Sequence, residues 1–362
     1  MLKTLICFVP FAVCLFWFAA LAACYRKSDA AKRTLTWFLA TCVVLYFNHG
    51  LFFTVGIPQK TECVWAFCSL SVYPLYYIYI CALVCRPLKA WHKLLFLLPA
   101  ALVAAAMLLT DGPAPEMARK VISLVQIPLV CYFGFRRLQA FDAKLADTYA
   151  DTEEHSTGEI KGLLLAFFLI SVLSIVASVL GRQFFAETDW PYLVTAALPF
   201  SVLLYVLGFI GFVRPHTSLQ DDDESAALTA QDEALLPDCQ PEGLGAKIEA
   251  LMSEEHLFLM KGLKIDDVAG RTGSCRTYVS NYINQKHGCS FSDYINRQRI
   301  AHAKTLMQRD AGVKMLSVAM NSGFSSEQSF YRNFQKFEGM KPAQWQLQQS
   351  ESRGHESRGQ TP

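Results

Sequence analysis

Two short runs near the C-terminus hold the donors and acceptors that can read base edges. One is Arg276, Thr277, Ser280 and Asn281; the other is Glu327, Gln328, Ser329 and Arg332. At these spacings each run marks the first turn of a helix and the positions three to four further on, the part a recognition helix exposes to the major groove. Arg332 suits guanine O6 and N7 bidentately, Gln328 and Asn281 suit adenine N6 and N7, and Glu327 can accept from cytosine N4. Arg271, Lys286, Arg297, Lys336 and Lys341 are candidate phosphate contacts, which fix register on a duplex without reading its sequence. The chemistry that these residue types offer is recognition of double-stranded DNA.

The elements that must position these side chains form an internal repeat. Val268 and Ala269 precede Gly273 by five and four residues, as Val318 and Ala319 precede Gly323. A second helix follows each glycine, marked by Val279, Ile283 and Gly288 in the first copy and by Phe330, Phe334 and Gly339 in the second. Small residues sit where two helices of a helix-turn-helix must approach closely, so the pattern reads as two such motifs. Between them, Tyr294, Ile295, Ile300, Ala303 and Leu306 give one amphipathic face to a helix over 291–310. At about 30 Å, that helix could hold two recognition helices roughly one DNA turn, about 34 Å, apart. A further helix is expected over 247–260 from Ile248, Leu251, Met252 and Leu259. Val279, Ile283, Phe324, Phe330, Phe334 and Trp345 are expected in the core.

Residues 244–347 resemble the DNA-binding domain of AraC-family transcription regulators. The second copy, VAMNSGFSSEQSFYRNFQKFEGMKPAQW, holds the diagnostic pattern at Ala319, Gly323, Phe324, Phe330, Phe334, Lys336, Gly339, Pro342 and Trp345. The resemblance points to the same reading positions. It departs from the family at Lys264, where Thr or Ser usually caps the leading helix of the first motif; Lys cannot accept the orphan N–H bonds, although Asp266 and Asp267 still suit the helix dipole. A slightly looser first motif is expected.

The first two hundred residues are different in kind. Of 362 residues, 52% are hydrophobic, and long apolar runs lie at about 5–23, 35–57, 63–85, 94–110, 121–135, 162–180 and 190–213. Seven runs near the length of a bilayer span predict a polytopic helical membrane domain over 1–213, so the fold class is all-α. The first, third and fifth loops carry eleven Lys/Arg and the alternate loops four. That asymmetry puts the N-terminus outside and the C-terminus in the cytoplasm of a bacterial inner membrane. The box LAAC at 21–24 also matches a lipoprotein cleavage site, but cleavage would place four bases on the wrong face.

Residues 214–242 hold eight acids against one base and read as a flexible acidic linker reaching about 30 Å. From 243 to 349, the DNA-binding domain, fourteen Lys/Arg face nine Asp/Glu, a balance suited to a polyanion. Residues 350–362 form a polar tail expected to be disordered. Nine of twelve cysteines lie in the apolar half, without metal-ligand spacing, and read as small hydrophobes. No phosphate loop, zinc cluster or catalytic triad is evident, so neither enzyme activity nor a cofactor is expected. His49 reads first as a histidine bonded to a neighbouring carbonyl, with a ligand or relay role as the alternative; the run YPLYYIYI at 73–80 is a candidate lining for an apolar ligand or an aromatic packing face.

The expected function is a membrane-bound, sequence-specific transcription regulator coupling a membrane or extracytoplasmic signal to promoter binding. Its expected partners are double-stranded DNA, membrane lipid, a second copy on DNA, RNA polymerase and an unknown signal ligand. The alternative is a receptor or passive transporter with an accessory DNA-binding domain.

Overall fold

The computed structural model describes residues 2–54, 62–84, 88–110, 112–152, 157–184, 190–213, 243–310 and 312–349. Both the acidic linker and the C-terminal tail lie outside them. The described residues are helical, with one isolated antiparallel bridge between Tyr149 and Lys264. They divide into two units, 1–140 with 157–220, and 141–156 with 221–362.

The first unit contains α1 (Leu2–Ala23), α2 (Ala30–Thr54), α3 (Glu62–Leu83), α4 (Ala90–Leu109), most of α5 (Ala114–Thr148), α6 (Gly158–Phe184) and α7 (Trp190–Val213). Each expected apolar run overlaps one helix, and residues 55–57 and 85 of the second and third runs lie outside the described residues. Among the described residues, five helices (α1 to α5) are long and apolar enough to cross a membrane, and Ala197–Val213 in α7 is a shorter apolar stretch. Helices α1 and α2, α2 and α3, α3 and α4, α6 and α7, and α1 and α7 pack as neighbours. At Gly208 a Cβ would stand 2.4 Å from the Trp17 ring, so only glycine lets α7 approach α1 there. In the aromatic run, Tyr76 is buried against Phe38 and Phe167 and the buried Tyr79 stacks on Tyr76, so both serve as packing. The outward side chains are themselves apolar: Leu102 of α4 and Leu124 of α5 are both 61% exposed. An apolar exterior around an apolar interior is what a hydrocarbon solvent favours.

Helix α5 extends well beyond its apolar run, through polar sequence to Thr148. No Gly or Pro follows Gly134 before Thr148, and Leu138 and Leu145, seven residues apart, are both fully buried. The helix period therefore outlasts the hydropathy.

The second unit contains α8 (Leu244–Ser253), α9 (Ile265–Thr272), α10 (Arg276–His287), α11 (Phe291–Arg309), α12 (Met315–Asn321), α13 (Glu327–Glu338) and a closing helical stretch, 342–349. The helix expected over 247–260 stops at Ser253; His256 takes a left-handed conformation (φ 50°), and a 3-10 turn follows at Leu257–Leu259. Helix α11 divides its apolar face between two cores. Phe291, Tyr294 and Ile295 join Ile248, Val268, Val279 and Ile283 in the first core. Ile300, Ala303 and Met307 join Phe324, Phe330, Phe334 and Trp345 in the second. Met307 occupies the buried position expected for Leu306, which is half-buried.

Candidate nucleic-acid interface

The two copies share their backbone bonds as well as their sequence. In each, the residue after the turn glycine donates to the carbonyl five residues earlier: Ser274 N to Ala269 O at 3.0 Å, and Phe324 N to Ala319 O at 3.1 Å. These bonds close α9 and α12, and the glycines take the left-handed conformation the closure needs, φ 66° at Gly273 and 84° at Gly323. Gly323 is doubly constrained, because a Cβ there would stand 2.8 Å from Leu259 Cα.

The recognition helices begin differently. Ser326 caps α13, its hydroxyl accepting from Ser329 N at 3.1 Å, whereas Cys275 supplies no side-chain cap to α10. The Lys264 side chain does not cap α9, but the reciprocal half of a capping box survives: Lys264 N donates to Asp267 Oδ2 at 2.8 Å.

On α13, Glu327, Gln328 and Arg332 are exposed on the outer face. Ser329 is not: it is 2% exposed, with its carbonyl and hydroxyl turned to Asn333 Nδ2. It packs beneath that face because it lies one residue before the fully buried Phe330. On α10, Thr277 and Asn281 are exposed, and Ser280 is half-buried and accepts from Asn284 Nδ2 at 3.3 Å.

Arg276 points elsewhere. It is half-buried, and its Nη2 donates to Thr148 Oγ1 at 2.7 Å. Thr148 ends α5, and the residues after it form a strap built into this unit. Ala150 N donates to Leu263 O at 3.0 Å. Ala150 O accepts from Ser292 Oγ at 2.8 Å and Asn296 Nδ2 at 3.0 Å. Asp151 accepts from Arg299 at 2.7 Å and from Gly262 N at 3.3 Å. Arg299, with no exposed surface, also donates to the carbonyls of Phe258 (2.7 Å) and Met260 (2.8 Å), and its guanidinium lies 5.6 Å from the Phe324 ring. Burial pulls its pKa down and the Asp151 carboxylate works against that shift. One side chain thus ties the strap, the first core and the second core together.

The strap also accounts for Lys264. Tyr149 pairs with Lys264 in the isolated bridge, and the Lys264 ammonium stands 5.0 Å from the Tyr149 ring centroid. The residue that departs from the family pattern faces a segment from outside the motif. Sequence reasoning missed Thr148, Asp151 and Arg299. Asp151 sits in a polar stretch more than a hundred residues from its partner, and Arg299 reads as one more base on a polar helix.

The phosphate candidates occupy exposed sites, three of them in ion pairs. Arg271 bonds Glu255 and Lys336 bonds Asp293, at 2.7 and 2.6 Å. Lys286 bonds both Glu249 and Tyr282; these partners push the Lys286 pKa up, and Lys286 with Tyr282 holds Glu249 below the usual carboxylate range. Exposed pairs of this kind are screened by water and contribute little, so phosphate can replace the carboxylate at small cost. Arg297 lies over the Phe337 ring, and Lys341 is exposed just before the closing helix.

A family model described as a helix-turn-helix domain matches residues 259–348. The probable transcription factor PqrA of Proteus vulgaris is 30% identical over 93 residues, covering 25% of this chain and 75% of that protein. The HTH-type transcriptional activator AarP of Providencia stuartii is 27% identical over 89 residues, 65% of its length. The melibiose operon regulatory protein of Escherichia coli K12 is 31% identical over 85 residues, 28% of its length. Each match covers about a quarter of this chain. No solved structure matches.

Proposed function

Given that the chain belongs to the AraC family of DNA-binding transcription regulators, we propose that it works from the bacterial inner membrane, coupling a signal received there to promoter binding. The strap carries this reading. Helix α5 holds one of the apolar runs, yet the residues at its end complete the DNA-binding unit's first core and engage Arg276. A regulator indifferent to its membrane half has no reason to bury Asp151 against Arg299. In this reading Gln328, Arg332, Thr277 and Asn281 contact bases, and Arg276 joins them only when Thr148 releases it. Arg271, Lys286, Arg297, Lys336 and Lys341 hold phosphates. Glu327 accepts from a cytosine, Ser280 supports the first copy, and Ser329 braces Asn333 from beneath. Two chains bind neighbouring sites, their tethering to one membrane raising effective concentration, and RNA polymerase is the downstream partner.

The test maps cross-linked sites of tagged full-length protein across its genome beside an Arg332→Ala control. Discrete peaks that vanish in the control are expected, and in vitro the variant should lose about 1–3 kcal/mol at one base pair. Equal loss on every sequence makes Arg332 a phosphate clamp instead.

A further inference from the structure

The first unit holds a partly open cavity of about 210 Å³, lined from α2, α3, α5, α6 and α7. We propose that this cavity binds the signal, a small organic monocarboxylate on an aromatic or branched apolar body. The inference rests on the membrane-regulator reading above and names its ligand.

The walls are aromatic: Trp65, Tyr73, Phe167 and Phe200 line the space, with ring centroids 5.6 Å apart for Tyr73 and Phe167 and 6.2 Å for Phe167 and Phe200. The charge is one-sided. Arg119 and Lys120 are lining residues, and among the described residues no Asp or Glu lines it. Arg119 stands 4.3 Å from the Trp65 ring centroid and donates two 2.7 Å bonds to Glu116, which lies outside the lining. Lys120 is only 3.6 Å from the same carboxylate. One carboxylate cannot balance two cations, so one positive charge remains beside an apolar chamber, and a monoanion matches it.

The second observation is a buried hydroxyl. Ser171 is 1% exposed and lines the cavity, and its Oγ has no hydrogen-bond partner. A buried donor left unmade is costly, and a carboxylate oxygen would satisfy it. The volume is somewhat larger than that of an engineered cavity of about 150 Å³ that holds benzene, so a compact aromatic or branched acid fits. The lining residues lie towards the ends of α2, α3 and α5 that the loop charges place outside, so the ligand would enter from the extracytoplasmic side.

The test uses the full chain in nanodiscs of zwitterionic lipid, with benzoate as the probe. Benzyl alcohol and benzylamine serve as neutral and cationic counterparts, and decanoate as a membrane-derived acid. Benzoate is expected to saturate one site per chain at least tenfold more tightly than the alcohol. Lys120→Gln should weaken it about tenfold and Ser171→Ala several-fold, while Trp91→Phe, on the exposed surface, leaves it unchanged. Absent benzoate binding, equal binding of alcohol or amine, preference for decanoate, or indifference to both cavity substitutions overturns the proposal. Genomic peaks that persist without carboxylate binding fail this inference alone; peaks absent altogether fail the regulator reading beneath it.

Discussion

Replacing Thr148 by Val isolates the restraint on Arg276. Valine keeps the shape of the fully buried threonine and removes the oxygen that accepts from Arg276 Nη2 at 2.7 Å. Its other bond, to Lys144 O four residues back, is local and its loss should change little. A hydrogen bond to a charged donor contributes about 1.5–3 kcal/mol, and the low end applies because Arg276 is half-buried and water can replace the acceptor. Removing about 1.4 kcal/mol from the restrained state frees Arg276 for DNA and should tighten specific binding by up to about tenfold. The Asp147 carboxylate, which also acts electrostatically on Arg276, stays in place, so the gain reports the hydroxyl alone. Fluorescence anisotropy with a duplex drawn from a mapped genomic site, using the full chain in nanodiscs, measures it. The same substitution in an Arg276→Ala background should have no effect, closing a double-mutant cycle. Unchanged or weaker binding by Thr148→Val, or an equal gain in the Arg276→Ala background, would refute the restraint.

Asp151→Ala should leave Arg299 buried with only its carbonyl acceptors, costing about 3 kcal/mol, at the lower end for a broken buried pair because those bonds survive; hydrogen exchange should rise at the amide of Ala150 and through the middle of α11. Gly323→Ala meets both a left-handed φ and the Leu259 backbone, so its thermal midpoint should fall well below that of Gly262→Ala, which shares the strained φ but has open space. Burial, with His256 and Arg309 adding to it, lowers the pKa of His302 from about 6.5. The unfolded chain therefore takes up the proton first as pH falls, so stability should drop below about pH 6.5, and His302→Gln should flatten that slope in thermal melts.

Much of the DNA-binding unit was legible from residue types at fixed spacing. The Val-Ala-Gly pattern fixed both turns because a helix-turn-helix needs small residues at one close approach, and Gly323 shows how little room remains there. Phe330 and Phe334 were readable because helix periodicity assigns a face without knowing the partner, and Phe324 because it directly follows the turn glycine. Hydropathy likewise marked the apolar helices, since length and composition decide whether a helix suits lipid. The burial of Ser329 was not legible, because a polar residue on a helix gives no sign of the face it shows until the packing is known. What the tertiary structure alone decided is the strap. Thr148, Asp151 and Arg299 carry no local signal, because a contact across 148 residues leaves no period and no motif in either segment. Local sequence sets which face a helix shows; only the folded chain sets what meets it.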